Sequence, residues 1–82
     1  MTVRILLFGH YKDAAPGGAL SLGELPDGAS VADVAERLGA RDERLSGLLA
    51  RARVAVNADF ADANTLLSHG DEIAFLPPMS GG

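Results

Sequence analysis

Helical spacing is strongest in one stretch of this chain, and short extended runs lie on both sides of it. Val31, Val34, Ala35 and Leu38 recur at intervals of three and four, which makes one helical face apolar. Ser30 precedes them, where its hydroxyl can cap the free N–H groups of a first turn. Asp33 lies near the positive end of the helix dipole. Gly39 is expected to end or interrupt this helix, and residues 42–50 read as a further turn or two with Leu45, Leu48 and Leu49 inward. One main helix can cover one face of a sheet. The opposite face then has nothing in this chain to cover it.

The extended runs follow from β-rich composition and the turns between them. Residues 3–8 are closed by Gly9, and residues 13–18 are loop chemistry in which proline fixes φ and glycine supplies turn geometry. Residues 19–25 alternate as a half-buried strand does, and Pro26-Asp27-Gly28 turns the chain. Arg53-Val54-Ala55-Val56 reads as a strand, Asn57-Ala58-Asp59 as a tight turn, and Phe60 as a brief return to extended chain. Ser68-His69-Gly70-Asp71 turns again before the last strand, residues 72–76, which Pro77-Pro78 halts because proline cannot donate to a ladder. The order β-β-α-β-β predicts an α+β fold: a mixed sheet of four to five strands with one main helix packed on one face. The globular domain is expected over residues 1–76, with an extended, flexible tail over residues 77–82.

Period-two alternation assigns the faces. Val3, Ile5 and Leu7 share one side of the first strand, and Arg4, Leu6 and Phe8 the other. In the last strand Ile73 and Phe75 share a face, opposite Glu72, Ala74 and Leu76. Charges are seldom fully buried, so the faces carrying Arg4 and Glu72 should point outward. Leu6, Phe8, Ala74 and Leu76 are then exposed together, joined by Phe60. Such a cluster beside a projecting tail predicts a partner surface.

Composition removes several function classes. A net charge of −4 with a single lysine, Lys12, argues against nucleic-acid binding, which rests on clustered Lys and Arg. Arg37, Arg41, Arg44, Arg51 and Arg53 interleave with Asp33, Glu36, Asp42 and Glu43, as on a solvated helical surface. There is no cysteine, so no disulfide and no thiolate metal site. His10 and His69 lack a third ligand pattern and no serine stands in a motif with either, so neither a metal centre nor a hydrolase triad is expected. No apolar run is long enough for a signal segment or membrane span, which points to a cytoplasmic protein and no membrane partner.

The final residues are Pro77-Pro78-Met79-Ser80-Gly81-Gly82. Two glycines without Cβ atoms let backbone thread a narrow channel and leave the last carbonyl approachable from either side. Six residues from Pro77 reach at most about 20 Å when extended. Pro77-Pro78 stiffens the base of such an arm and lowers the entropy lost on insertion.

These residues carry a resemblance that covers nearly the whole chain. Residues 3–9 followed by a charged segment, Val54-Ala55-Val56-Asn57 leading to Phe60, and above all residues 69–82 resemble the ubiquitin-like β-grasp proteins of the sulfur-carrier family, and within it the small subunits of molybdopterin synthase. His69 stands where an Asp is common, and Lys12 where the family often has Arg. The resemblance implies a carrier, not a catalyst on its own, with no permanently bound cofactor. An adenylating enzyme would use ATP to activate the carboxylate of Gly82 as an acyl-adenylate. A sulfur donor, a cysteine desulfurase or rhodanese-like protein, would convert it to a thiocarboxylate. Pro77, Pro78, Met79, Ser80 and Gly81 would thread into the large synthase subunit, in an assembly of two large and two small subunits, and sulfur would pass to a pterin precursor of the molybdenum cofactor. Leu6, Phe8, Phe60, Ala74 and Leu76 would form the partner interface. The alternatives within reach are a carrier for thiamine, cysteine or tRNA thiolation, or a ubiquitin-like protein conjugator.

Overall fold

Helix α1, Val31–Arg41, starts where two side chains satisfy each other's backbone. The hydroxyl of Ser30 accepts from the Asp33 N–H at 3.3 Å, and the Asp33 carboxylate accepts from the Ser30 N–H at 2.8 Å. That reciprocal pair is a capping box. Val31, Val34 and Leu38 are buried, as their spacing predicts. The computed structural model describes residues 1–78, and in it the helix continues through Gly39 instead of stopping there. A Cβ at residue 39 would stand 3.3 Å from the Cα of Ser46, so the missing side chain serves the close approach of the next segment.

That segment is not a second helix. It forms turns and then a 3-10 turn, Leu49–Arg51, because Gly47 takes φ +81° and leaves the helical path. Leu45 and Leu49 are buried as expected, but Leu48 is 41% exposed.

Five strands make one sheet: β1 Val3–Leu7, β2 Ala19–Leu22, β3 Arg53–Val56, β4 Asp59–Ala61 and β5 Glu72–Leu76, in the order β2-β1-β5-β3-β4. β1 and β5 run parallel and the other pairs antiparallel, so the sheet is mixed. β2 is shorter than residues 19–25, and the chain past it turns through Glu24 at φ +60°. The brief return at Phe60 is a full edge strand. Asn57 and Ala58, at φ +51° and +72°, form the two-residue left-handed loop that matches the twist of a hairpin. Asn57 also clasps β5: its Nδ2 donates to Asp71 Oδ1 at 2.9 Å and its Oδ1 accepts from the Glu72 N–H at 3.0 Å.

The core lies between the sheet and α1. Ile5, Leu7, Val34, Leu38, Ile73 and Phe75 are essentially inaccessible, and no charged side chain is buried among the described residues. The loop after β1 contributes to this side as well. Tyr11 and Ala15 are buried in the same cluster, and the Tyr11 hydroxyl donates to the Leu48 carbonyl at 3.4 Å. The loop therefore does not fold over the other face of the sheet.

Candidate docking face and tail

Register on the uncovered face makes one continuous row. Ala19 pairs with Leu6, Leu6 with Ala74, Ala74 with Ala55, and Ala55 with Phe60, so five apolar side chains line up across all five strands. Directly paired residues project to the same side of a sheet, so the row is a shared surface. Leu6 and Ala74 are half-buried by their neighbours, while Phe60 is 77% exposed.

The two ends of the face differ in chemistry. On one side of the row Arg4 pairs with Glu72, with Arg4 Nε 3.8 Å from Glu72 Oε2. On the other side Leu76 pairs with Arg53, and Phe8 extends from β1 with its N–H donating to the Phe75 carbonyl at 3.1 Å. Because β1 and β5 are parallel, Phe8 and Leu76 lie at the end of the sheet from which Pro77 departs. The structure thus places all five expected residues, Leu6, Phe8, Phe60, Ala74 and Leu76, on one face, with Phe8 and Leu76 at the end beside Pro77 and Phe60 on the edge strand two strands from β5. Pro77 and Pro78 are described. Met79, Ser80, Gly81 and Gly82 lie outside the described residues.

Two members of this face were not singled out from the sequence. The guanidinium of Arg53 sits 5.1 Å from the centre of the Phe60 ring, a cation–π contact that places a positive charge at the apolar end. Arg53 therefore belongs to the sheet, not to the interleaved helical surface with which it was grouped. Ala55 is the midpoint of the row. The alternation within Arg53-Val54-Ala55-Val56 carried that signal, since buried Val54 implies outward neighbours.

The helix side carries a concavity of about 650 Å³ between α1, the turns after it, and β3–β4. Val31, Ala35, Leu45, Leu49 and Phe75 contribute to its apolar lining, with Glu36, Arg53 and Asp62 among its polar ones. Among the described residues no three His, Cys, Asp or Glu side chains cluster as a metal site. His69 accepts a hydrogen bond from the Thr2 N–H through Nδ1 at 3.0 Å, and His10 meets Tyr11 edge-on, so each has a local structural contact. Shifted ionisations are structural too. Burial pushes the Tyr11 phenol above its ordinary value, and hydrogen bonding from Arg44 holds the Asp42 carboxyl below its own. No helix of the described residues is long and apolar enough to cross a membrane.

A mixed five-stranded sheet in this order, grasping one helix on one face, defines a ubiquitin-like β-grasp protein. The chain belongs to the ThiS family, which matches it over residues 5–82. It is 32% identical over 80 residues to the molybdopterin synthase sulfur carrier subunit of Mycobacterium tuberculosis, covering 98% of this chain and 96% of that one. Among solved structures it is similar to the small archaeal modifier protein 1 of Methanosarcina acetivorans, with TM-score 0.81 and 26% identity over 99% of this chain and 96% of that one. It is also similar to a chain of the protein–protein complex of subunits 1 and 2 of the molybdopterin-converting factor from Helicobacter pylori, with TM-score 0.68 and 25% identity over the full length of both.

Proposed function

We propose that the chain is the sulfur carrier, the small subunit, of a molybdopterin synthase. The observation that carries this reading is the apolar row across the open face, which crosses β5, the strand that runs into a tail ending in Gly81-Gly82, in a chain 32% identical to such a carrier. A terminal carboxyl titrates at roughly 3.3–3.7, so at neutral pH Gly82 is an anion and a poor electrophile. An activating enzyme joins that carboxylate to the α-phosphate of ATP and releases pyrophosphate. The outer sulfur of a donor persulfide then bonds to the acyl carbon as AMP departs. A thiol takes up the donor sulfur as a disulfide and leaves the thiocarboxylate. In the large subunit that sulfur bonds to a carbon of the pterin precursor as an oxygen substituent leaves it, and water then cleaves the acyl–sulfur bond, leaving the sulfur on the pterin and restoring the carboxylate. No side chain of the carrier is needed as acid, base or nucleophile in these steps.

Mass spectrometry after incubation with the activating enzyme, ATP and a persulfide source tests the reading. One oxygen exchanged for one sulfur at Gly82 supports it. An unmodified terminus sinks it, and amide conjugates to lysines in place of the thioacid would favour the modifier reading.

The open face is the proposed dock for the large subunit. Asp in place of Phe8, Phe60 or Leu76 puts a charge into the apolar end, and loss of a central contact there costs about 2 kcal/mol or more, roughly 30-fold in Kd. Each variant should keep its fold, since none of the three side chains is in the buried core. Calorimetric titration of the large subunit checks this, and unchanged affinity in all three variants removes the face from the interface.

A further inference from the structure

We propose that Gly9 is a positioning residue for sulfur delivery: its bare Cα seats the ring of Pro77 and so sets the direction in which the tail leaves the sheet. The proposal rests on the carrier reading above and assigns a role to a residue outside the docking row. Gly9 follows β1 at φ +58°, where the chain turns out of the strand. A Cβ at this position would stand 2.5 Å from Pro77 Cγ and 3.2 Å from Pro77 Cδ. The first distance is about 1 Å inside ordinary carbon–carbon contact and closer than side-chain carbons approach. The ring therefore occupies space that any other residue at position 9 would claim.

Both partners in this contact are held from behind. The Phe8 N–H donates to the Phe75 carbonyl at 3.1 Å, locking the chain before Gly9 to the chain before Pro77. Gly9 opens the 3-10 turn Gly9–Ala14, whose Tyr11 is 2% exposed and whose Ala15 neighbour is buried as well. Gly9 is itself exposed, with Phe8 and His10, but the turn it opens is anchored in the core through Tyr11, so shifting Gly9 strains that anchor. The clash is relieved most easily at Pro77, which lies past the end of β5. Pro77 and Pro78 have φ fixed by their rings, so the chain beyond has few torsions near its base with which to compensate. Five residues beyond Pro77 reach about 17 Å at most, so the direction fixed at Pro77 decides which region the carboxyl group can reach. Misplacement of a reacting group by 1 Å costs about 100-fold in rate.

The loop supplies its own comparison. Gly18 also has a positive φ, +73°, and a Cβ there would stand 2.8 Å from the Leu7 carbonyl oxygen, but it does not touch Pro77. Gly18→Ala should destabilise the domain by the same kinds of strain without redirecting the tail.

The experiment uses full-length carrier made as the thiocarboxylate by sulfide cleavage of an intein fusion, which bypasses the activating enzyme. Single-turnover transfer is followed with the large synthase subunit and its pterin substrate over a range of large-subunit concentrations. Gly9→Ala is expected to lower the saturating rate about 100-fold while the half-saturating concentration changes less than about threefold, because docking uses the open face. Gly18→Ala is expected to retain the wild-type saturating rate at a temperature where it is folded. Pro77→Ala removes Cγ and Cδ and leaves a nearest contact of 3.8 Å to Cβ, so Gly9→Ala/Pro77→Ala should transfer within about threefold of Pro77→Ala alone. That pairwise comparison holds even where Gly9→Ala by itself fails to fold. Wild-type rates in Gly9→Ala, equal losses in Gly9→Ala and Gly18→Ala, or a double variant as slow as Gly9→Ala would each overturn the proposal. Wild-type thiocarboxylate that transfers no sulfur would instead overturn the carrier reading.

Discussion

Deleting Gly82, or adding one residue beyond it, is expected to abolish the proposed sulfur delivery while the melting temperature of the domain stays unchanged. The last strand ends at Leu76, six positions before Gly82, and it is anchored in the core through Ile73 and Phe75, which the deletion leaves in place. What changes is the position of the reacting group. One residue moves a terminal carboxylate by about 3.5 Å along an extended path, well beyond the tolerance of a site that must bring reacting atoms into contact. A residue with a Cβ at the end would further crowd the acyl carbon. Thiocarboxylate formation and sulfur transfer, measured beside a thermal melt, check the expectation. Retained transfer in either variant would remove Gly82 as the site of chemistry.

Phe75→Ala has the opposite signature, a large loss of stability with the tail untouched. Phe75 is fully inaccessible and lies in β5, the central strand of the five, where it pairs with Leu7 on one side and Val54 on the other. Truncating a buried Phe costs about 3–5 kcal/mol, because the lost transfer energy is joined by the cavity left behind. A domain of this length has a total stability of about 4–12 kcal/mol. The melting temperature should fall by at least about 12 °C, at 4–8 °C per kcal/mol for a small domain. A drop of less than about 5 °C would mean that α1 and the turns after it collapse into the vacated space. The concavity of about 650 Å³ that Phe75 helps line on the helix side makes such collapse the main competing outcome.

Particular elements show what was readable in advance. The cap at Ser30 and the inward residues of α1 were legible because capping and helical spacing are local. The faces of β1 and β5 were legible because alternation is local as well. Three features were not. The helix passes Gly39 because that glycine answers a tertiary approach by Ser46, which no window around it reveals. Leu48 turned outward because Gly47 adopts a left-handed conformation, whereas the apolar spacing of Leu45, Leu48 and Leu49 suited a helix equally well. Arg53 looked both like the start of a strand and like one more charge in an interleaved run, and pairing with Leu76 and stacking over Phe60 decided for the open face.

The amino-acid order determined the elements, the inward and outward side of each strand, and the Gly-Gly ending, since these depend on neighbours a few residues apart. Tertiary structure alone decided that β1 and β5 lie side by side in parallel, because that pairing joins residues about seventy positions apart and no local pattern encodes it. From that one pairing come the unbroken apolar row, the placing of Phe8 and Leu76 at the end where the tail departs, and the meeting of Gly9 with Pro77.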